Sequence, residues 1–311
     1  MGLLRKVLYH SGAGLNAALT LLLSDFRPSL TIVEFPYLFR VVSKVPARLR
    51  GKLVLSEQNI EHEMYRSMGN PIWPAVYIVE RRAVRNADAV WALCEEDATG
   101  LRKAFKRSDI WTIPIGVEPS KFRRIARSDH TKPSGGGLER QRIVFHGDFS
   151  HRPNRWALER LTRIILPEVA KHVPNTLAVV FGRGIDSGIH GRVESLGFVA
   201  DVPRTIAMCD VAVVPILEPG GVKVKILEYL ATGIPVVTTS AGNRGIGLTH
   251  AKNAYVSNDL AGEFSSSVVK LLKDSTLRQE IGSRGRQFVQ EHFPVQRSTK
   301  LLVEAVETAL F

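Results

Sequence analysis

Apolar residues along this chain alternate between two spacings. Short apolar runs read as buried strands: Leu30-Thr-Ile-Val-Glu-Phe35, Lys52-Leu-Val-Leu-Ser56, Asp88-Ala-Val-Trp-Ala-Leu93 and Ile110-Trp-Thr-Ile-Pro-Ile115 in the first part of the chain. Arg142-Ile-Val-Phe-His146, Leu177-Ala-Val-Val-Phe-Gly182, Asp210-Val-Ala-Val-Val214 and Pro235-Val-Val-Thr238 follow, with a short strand within 193–199. Between them lie helical patterns: a short helix or irregular stretch from Phe39 to Ala47, a basic helix from Val76 to Ala87, and helices at Glu95–Phe105 and from Trp156 to about His172. Asp201 is placed to cap a helix running to Met208. After Tyr255-Val256 the pattern is helical at about 260–273, 276–291 and 295–310, broken at His292-Phe293-Pro294. Alternating β and α at this spacing predicts parallel sheets with helical crossovers.

One stretch carries more than packing. Pro215-Ile-Leu-Glu-Pro-Gly-Gly-Val-Lys-Val-Lys-Ile-Leu-Glu228 follows an apolar strand and opens with a Pro-Gly-Gly loop. Its helical pattern puts Val222, Ile226, Leu227 and Leu230 on one face and stops at Gly233. A helix N-terminus offers unpaired N–H groups and partial positive charge, which suit a phosphate. Gly220 and Gly221 let backbone approach a ligand. Lys223 and Lys225 add cations where an isolated helix disfavours them, and a bound anion would compensate. Glu228 shares a face with Lys225 and suits ribose hydroxyls. The stretch reads either as a nucleoside-diphosphate site or as a solvated Lys/Glu helix after an ordinary turn.

Polar residues just beyond strands mark the carboxyl edge of a doubly wound sheet, where ligands bind. Two other segments fit: Glu57-Gln-Asn-Ile-Glu-His62 after the second strand, and Gly147-Asp-Phe-Ser-His-Arg-Pro-Asn154 after the strand at 142–146. Arg183-Gly184 ends another strand, and Gly245-Ile-Gly247 is read as a loop before it is read as a ligand wall.

The chain has 311 residues, enough for about two domains. Residues 124–141 are rich in Gly, Ser and charge without periodicity, and the domain boundary is expected there. The formal charge of +12 points to polyanionic company: nucleotide phosphates, an anionic lipid surface or nucleic acid. Nucleic acid has only charge in its favour, with no basic recognition helix, zinc module or stacking motif. No apolar run reaches about 18 residues, so no membrane span is expected. Residues 1–25 are leucine-rich and partly amphipathic; the alternatives are a membrane-surface helix and a packed helix of the first domain. Cys94 and Cys209 each end an apolar run, which suggests buried thiols in a reducing, cytoplasmic setting.

The stretch from Gly220 to Val237 resembles the signature of retaining GT-B glycosyltransferases of the family 4 type, in the variant Gly-Gly-x-[Arg/Lys]-x-Lys-x-Leu-Glu. The resemblance implies two Rossmann-like, doubly wound domains facing a cleft. It implies transfer of a sugar from a nucleotide-sugar donor to an acceptor with retention, without a metal or other cofactor. Lys225 would contact the donor diphosphate and act with the helix dipole as the main catalytic lever, and Glu228 would hold the ribose. Many relatives have an acidic residue eight positions before this glutamate; here that position is Gly220, with Glu218 two residues earlier. The family's Gly-x-x-x-x-x-Pro-Asn segment is matched by Gly147 and Asn154, with Arg152 a candidate diphosphate contact and Arg183 nearby. Residues 78–97 and Ile113–Glu118 are similar to the end of the family's N-terminal domain, which builds the acceptor site. Where relatives show Glu-His-Asn-x-Glu, this chain has Glu57, Gln58, Asn59, Ile60 and Glu61, with His62 next. Only one helix-like segment precedes the strand at 30–35, so the resemblance implies either an abbreviated first domain, residues 1–123, or a chain that is a fragment. Residues 142–291 would form the donor domain and 292–311 a helix returning to the first. The acceptor would be a glycan or a lipid-linked molecule. The alternative is a non-catalytic nucleotide-sugar-binding protein of the same fold.

Overall fold

The computed structural model describes residues 13–122 and 140–311. It divides into two units. The first comprises residues up to Ile115 together with Pro219–Val222 and Gln296–Phe311; the second comprises Gly116–Glu218 and Lys223–Val295. Most of the segment expected as a linker, and the first half of the leucine-rich N-terminus, lie outside the described residues.

The first unit is a four-stranded parallel sheet in which β1 (Leu30–Glu34), β2 (Lys52–Glu57), β3 (Ala89–Ala92) and β4 (Ile110–Thr112) lie side by side in chain order. Its helices are α1 (Ala13–Phe26), α2 (Pro36–Val42), α3 (Ala47–Arg50), α4 (Glu61–Ser67), α5 (Trp73–Asn86) and α6 (Glu95–Phe105). Successive strand residues point to opposite faces. Leu53 and Leu55 therefore join Val90, Ala92 and Val33 in a core with Phe39, Ala83, Val84, Leu101 and Phe105. Val54 and Trp91 point the other way and are closed by Ala305, which is 1% exposed, from the helix Val295–Leu310.

Helix α4 carries no side-chain cap of its own. The carboxylate of Glu80, on α5, supplies one by accepting from the backbone N–H of Glu61 at 2.8 Å and of His62 at 3.2 Å. These are orphan donors of the first turn.

The second unit is a seven-stranded sheet. In chain order its strands are β5 (Gln141–His146), β6 (Thr176–Phe181), β7 (Ser187–His190), β8 (Val193–Leu196), β9 (Val211–Val214), β10 (Val236–Thr238) and β11 (Tyr255–Val256). Across the sheet the order is β11-β10-β9-β5-β6-β8-β7, parallel except that β7 runs antiparallel to β8. The four residues of β9 are wholly buried, which is why a central parallel strand reads as an unbroken apolar run. From β5 the chain builds outward to β6 on one side and later to β9 on the other. That reversal opens a crevice at the carboxyl ends of β5 and β9, the usual ligand position in such sheets.

The helices of this part are α7 (Arg152–Arg160), α8 (Leu166–His172), α9 (Val202–Ala207), α10 (Val224–Thr232), α11 (Ser240–Asn243), α12 (Ser265–Lys273) and α13 (Ser275–His292); α14 (Val295–Leu310) follows. The helix expected from Trp156 starts earlier, at Arg152, with Pro153 in its first turn, where a missing N–H costs nothing. It passes through a widened π turn at Leu161–Ile165, directly before Pro167, whose ring removes a regular helical donor. Asp201 caps α9 by accepting from the Arg204 N–H at 3.0 Å. Cys94 and Cys209 are buried thiols, neither of them in a disulfide. Among the described residues no helix is long and apolar enough to cross a membrane.

Candidate functional site

The carboxyl edge of β5 gathers the second unit's polar side chains. Lys225, in the first turn of α10, donates to Asn154 Oδ1 at 2.8 Å, and its ammonium lies 4.5 Å over the Phe145 ring. Asn154 is fixed at its other end, donating to the Asp148 carbonyl at 2.7 Å. A Cβ on Gly147 would lie 2.7 Å from Lys225 Nζ and 3.0 Å from Asn154 Nδ2, so the bare backbone makes room for both. Gly182, at φ +138°, crosses so closely that its Cβ would sit 1.9 Å from the Gly147 carbonyl oxygen. Burial holds the Lys225 ammonium down to about 7; the Lys223 charge adds to this and Glu228 opposes it.

Helix α10 begins at Val224 with neither a side-chain cap nor an acid in its first turn; the Ile226 N–H turns back to the Lys223 carbonyl at 2.8 Å, and the positive end of the helix dipole favours an anion there. Ile226, Leu227 and Leu230 are buried as the spacing predicts. Val222 is not part of the helix; it lies in the loop Pro219–Val222, which groups with the first unit. In that loop Gly221 packs on Gln58, whose carbonyl oxygen would lie 2.1 Å from an added Cβ. Gly220 shares the loop.

Glu218 is taken by Arg160, whose guanidinium grips both carboxylate oxygens, at 2.9 and 2.5 Å. Burial works against its charge, but the hydrogen bonds and charge of Arg160 win and hold the carboxyl below its ordinary range. Arg152 stacks 4.2 Å over Trp156, and Arg183, exposed, lies 4.0 Å from Asp148.

Glu228 brings in a residue that the sequence reading passed over. His146 Nε2 lies 3.0 Å from Glu228 Oε2, and His146 Nδ1 lies 2.7 Å from the Tyr229 hydroxyl. Burial keeps the imidazole below its ordinary pKa; the hydrogen bond to Glu228 opposes this, and the Lys225 charge supports it. The signal was present: His146 ends an apolar strand one residue before Gly147.

The first unit holds the other predicted residues in a buried acidic cluster. Glu57 is fully buried, and among the described residues neither carboxylate oxygen has a hydrogen-bond partner. Burial, then the charges of Glu80, Glu61 and Asp97, push its carboxyl well above the usual range. Glu61 accepts from Asn59 Nδ2 at 2.8 Å and from the Tyr37 hydroxyl. His62 Nδ1 lies 2.5 Å from Glu80, its ring edge-on to Tyr77 and Phe105.

An ammonium at a helix N-terminus without a side-chain cap suits a diphosphate, and a carboxylate braced by an imidazole suits hydroxyls. Among the described residues no group of three His, Cys, Asp or Glu side chains is arranged to hold a metal.

No protein of curated function matches the chain in sequence. Solved structures share its fold. Sucrose-phosphate synthase from Thermosynechococcus elongatus superposes with a TM-score of 0.78 at 17% identity, over 94% of this chain and 76% of that one. Alr3699/HepE from Anabaena, solved with UDP and glucose, gives 0.77 at 18% identity, over 95% and 82%. A UDP-forming trehalose-phosphate synthase from Burkholderia xenovorans gives 0.69 at 13% identity, over 93% and 77%. The fold is thus that of the GT-B glycosyltransferases, with Rossmann-like domains, and residues 140–274 match the family model for glycosyl transferases group 1.

Proposed function

We propose that this protein is a glycosyltransferase that moves a sugar from a nucleoside-diphosphate-sugar to an acceptor hydroxyl with retention. The supporting observation is the convergence of Lys225, Asn154 and Gly147 at the N-terminus of α10, which has no side-chain cap. The bond from the sugar to the β-phosphate oxygen breaks and a bond to the acceptor oxygen forms. The acceptor proton leaves with the departing phosphate. Lys225 and the α10 N-terminus stabilise charge growing on that diphosphate, so the scheme needs no metal. Glu228 accepts from the ribose. Residues 142–291 are taken as the donor domain, residues 1–123 as the acceptor-side domain, and 124–141 as the boundary.

UDP-sugars are the first donors to test, because Alr3699/HepE was solved with UDP and glucose. The experiment is thermal stabilisation and transfer by UDP-, GDP- and ADP-sugars, with wild type beside Glu228→Ala. One series should stabilise the wild type, and the variant should lose it. Unchanged affinity and turnover in the variant would end the ribose assignment.

The acceptor is a glycan or a lipid-linked molecule. On α1, Leu21, Leu22 and Phe26 are 68%, 63% and 77% exposed. Arg40, Lys44 and Arg48 are exposed around α2 and α3, which pack on α1. Apolar residues flanked by cations suit an anionic bilayer surface, so peripheral attachment from the cytoplasm belongs to the same reading. Sedimentation with anionic and zwitterionic vesicles tests it; equal binding to both counts against it.

A second reading is a protein that binds nucleotide-sugar without turnover. Gly220 stands at the position of the usual acid, and Glu218 is held by Arg160. Donor binding with neither transfer nor donor hydrolysis would favour it.

A further inference from the structure

The geometry points to His146 as the positioning residue of Glu228, fixing which carboxylate oxygen is left for the ribose hydroxyls of a bound nucleotide. This rests on the nucleotide-sugar reading of the second unit.

The hydrogen bonds assign the protons. The backbone N–H of His146 donates to the Tyr229 hydroxyl oxygen at 2.9 Å. Tyr229 is fully buried, and its hydroxyl has one proton to give. His146 Nδ1, at 2.7 Å, is the acceptor beside it. A neutral imidazole that accepts at Nδ1 carries its proton on Nε2. Nε2 therefore donates to Glu228 Oε2 across 3.0 Å, a charge-assisted bond to a carboxylate 26% exposed. The ring has little freedom to turn. It stacks on Phe181 at 4.9 Å with planes 4° apart, and Tyr229 meets it edge-on at 5.0 Å. Tyr229 and Phe181 thus fix the imidazole, the imidazole holds Oε2, and Oε1 remains to accept from a ribose hydroxyl.

The test compares UDP with 2′,3′-dideoxy-UDP, which lacks those hydroxyls, by calorimetric titration of the full chain. Wild type should prefer UDP by about tenfold or more, the scale of a hydrogen bond to a charged group. His146→Phe should bring that ratio close to one while dideoxy-UDP binds about as before. His146→Gln, whose amide can still donate, should recover part of the ratio. A His146→Phe protein that keeps the wild-type ratio overturns the proposal, even if it binds both ligands more weakly. A wild type that binds both equally removes the ribose contact and the proposal together, but leaves the phosphate site standing. A wild type that binds neither overturns the underlying reading as well. Nitrogen NMR of the histidines in wild type is independent of any variant's folding: protonated Nε2 at His146 supports the assignment, and protonated Nδ1 overturns it.

Discussion

The ammonium of Lys225 donates to the side-chain oxygen of Asn154 at 2.8 Å, and burial leaves that ammonium half-titrated near neutral pH. An arriving diphosphate would restore the full charge and draw in a proton. Binding of a UDP-sugar should therefore take up close to one proton at pH 8 and almost none at pH 5.5, and weaken by up to about tenfold per pH unit above 7. Calorimetry in buffers of different ionisation heat measures the uptake. Equal proton counts at both pH values would show that Lys225 does not meet the phosphates.

Gly147→Ala and Gly182→Ala should separate function from folding. The methyl on Gly147 meets the far end of a flexible lysine. The chain should fold with a loss of about 1 kcal/mol, the scale of the displaced hydrogen bond, and bind UDP about tenfold more weakly. At Gly182 the methyl meets backbone, and φ is in the left-handed region. Neither can give way, so a loss of about 3 kcal/mol is expected. Urea denaturation of the two variants tests the contrast, and equal midpoints would contradict it.

Arg160→Ala should be costly because it strands the buried carboxylate of Glu218, which is 9% exposed. Breaking one side of such a pair typically costs about 3–5 kcal/mol. Adding Glu218→Gln should restore part of that stability. Because the Glu218 carboxyl is held below its ordinary range, the stability it contributes is present above the unfolded pKa and fades as pH falls through the folded one. Additive losses in the double variant would refute the coupling.

Glu57 has the opposite sign. Its carboxyl is raised, so the stability it contributes is complete below the unfolded value of about 4.3 and is lost as pH rises toward the folded one. Glu57→Gln removes that loss. Its stability relative to wild type should increase from pH 5 to pH 8, by at most about 1.4 kcal/mol per pH unit. Parallel pH curves for the two proteins would show that Glu57 folds in its charged form.

Much of the parallel architecture could be read from the apolar runs, because central strands such as Val211–Val214 are buried on both faces. Strand β7 could not: Ser187-Gly-Ile-His190 has no apolar run and exists only as a partner of β8. At the candidate site, Gly147, Asn154 and Lys225 could be named because each follows a strand end or opens a helix. Their meeting required the sheet order. His146 looked like one more strand residue, since nothing local tells that Tyr229, 83 residues away, approaches both its backbone and its ring. Glu80 was hidden in the same way inside a basic helix, although it caps another helix 19 residues earlier in the chain.

The grouping of Gln296–Phe311 with the first unit has a consequence for how the protein is made. Val54 and Trp91 leave the ribosome early, yet Ala305, which covers them, comes after the entire seven-stranded sheet. At about 5–20 residues per second, that face waits some ~10–40 s for its cover after Ile115 has been added. The unit that begins first is closed last, so during synthesis a tryptophan-bearing sheet face is open to chaperones until the last helix of the chain arrives.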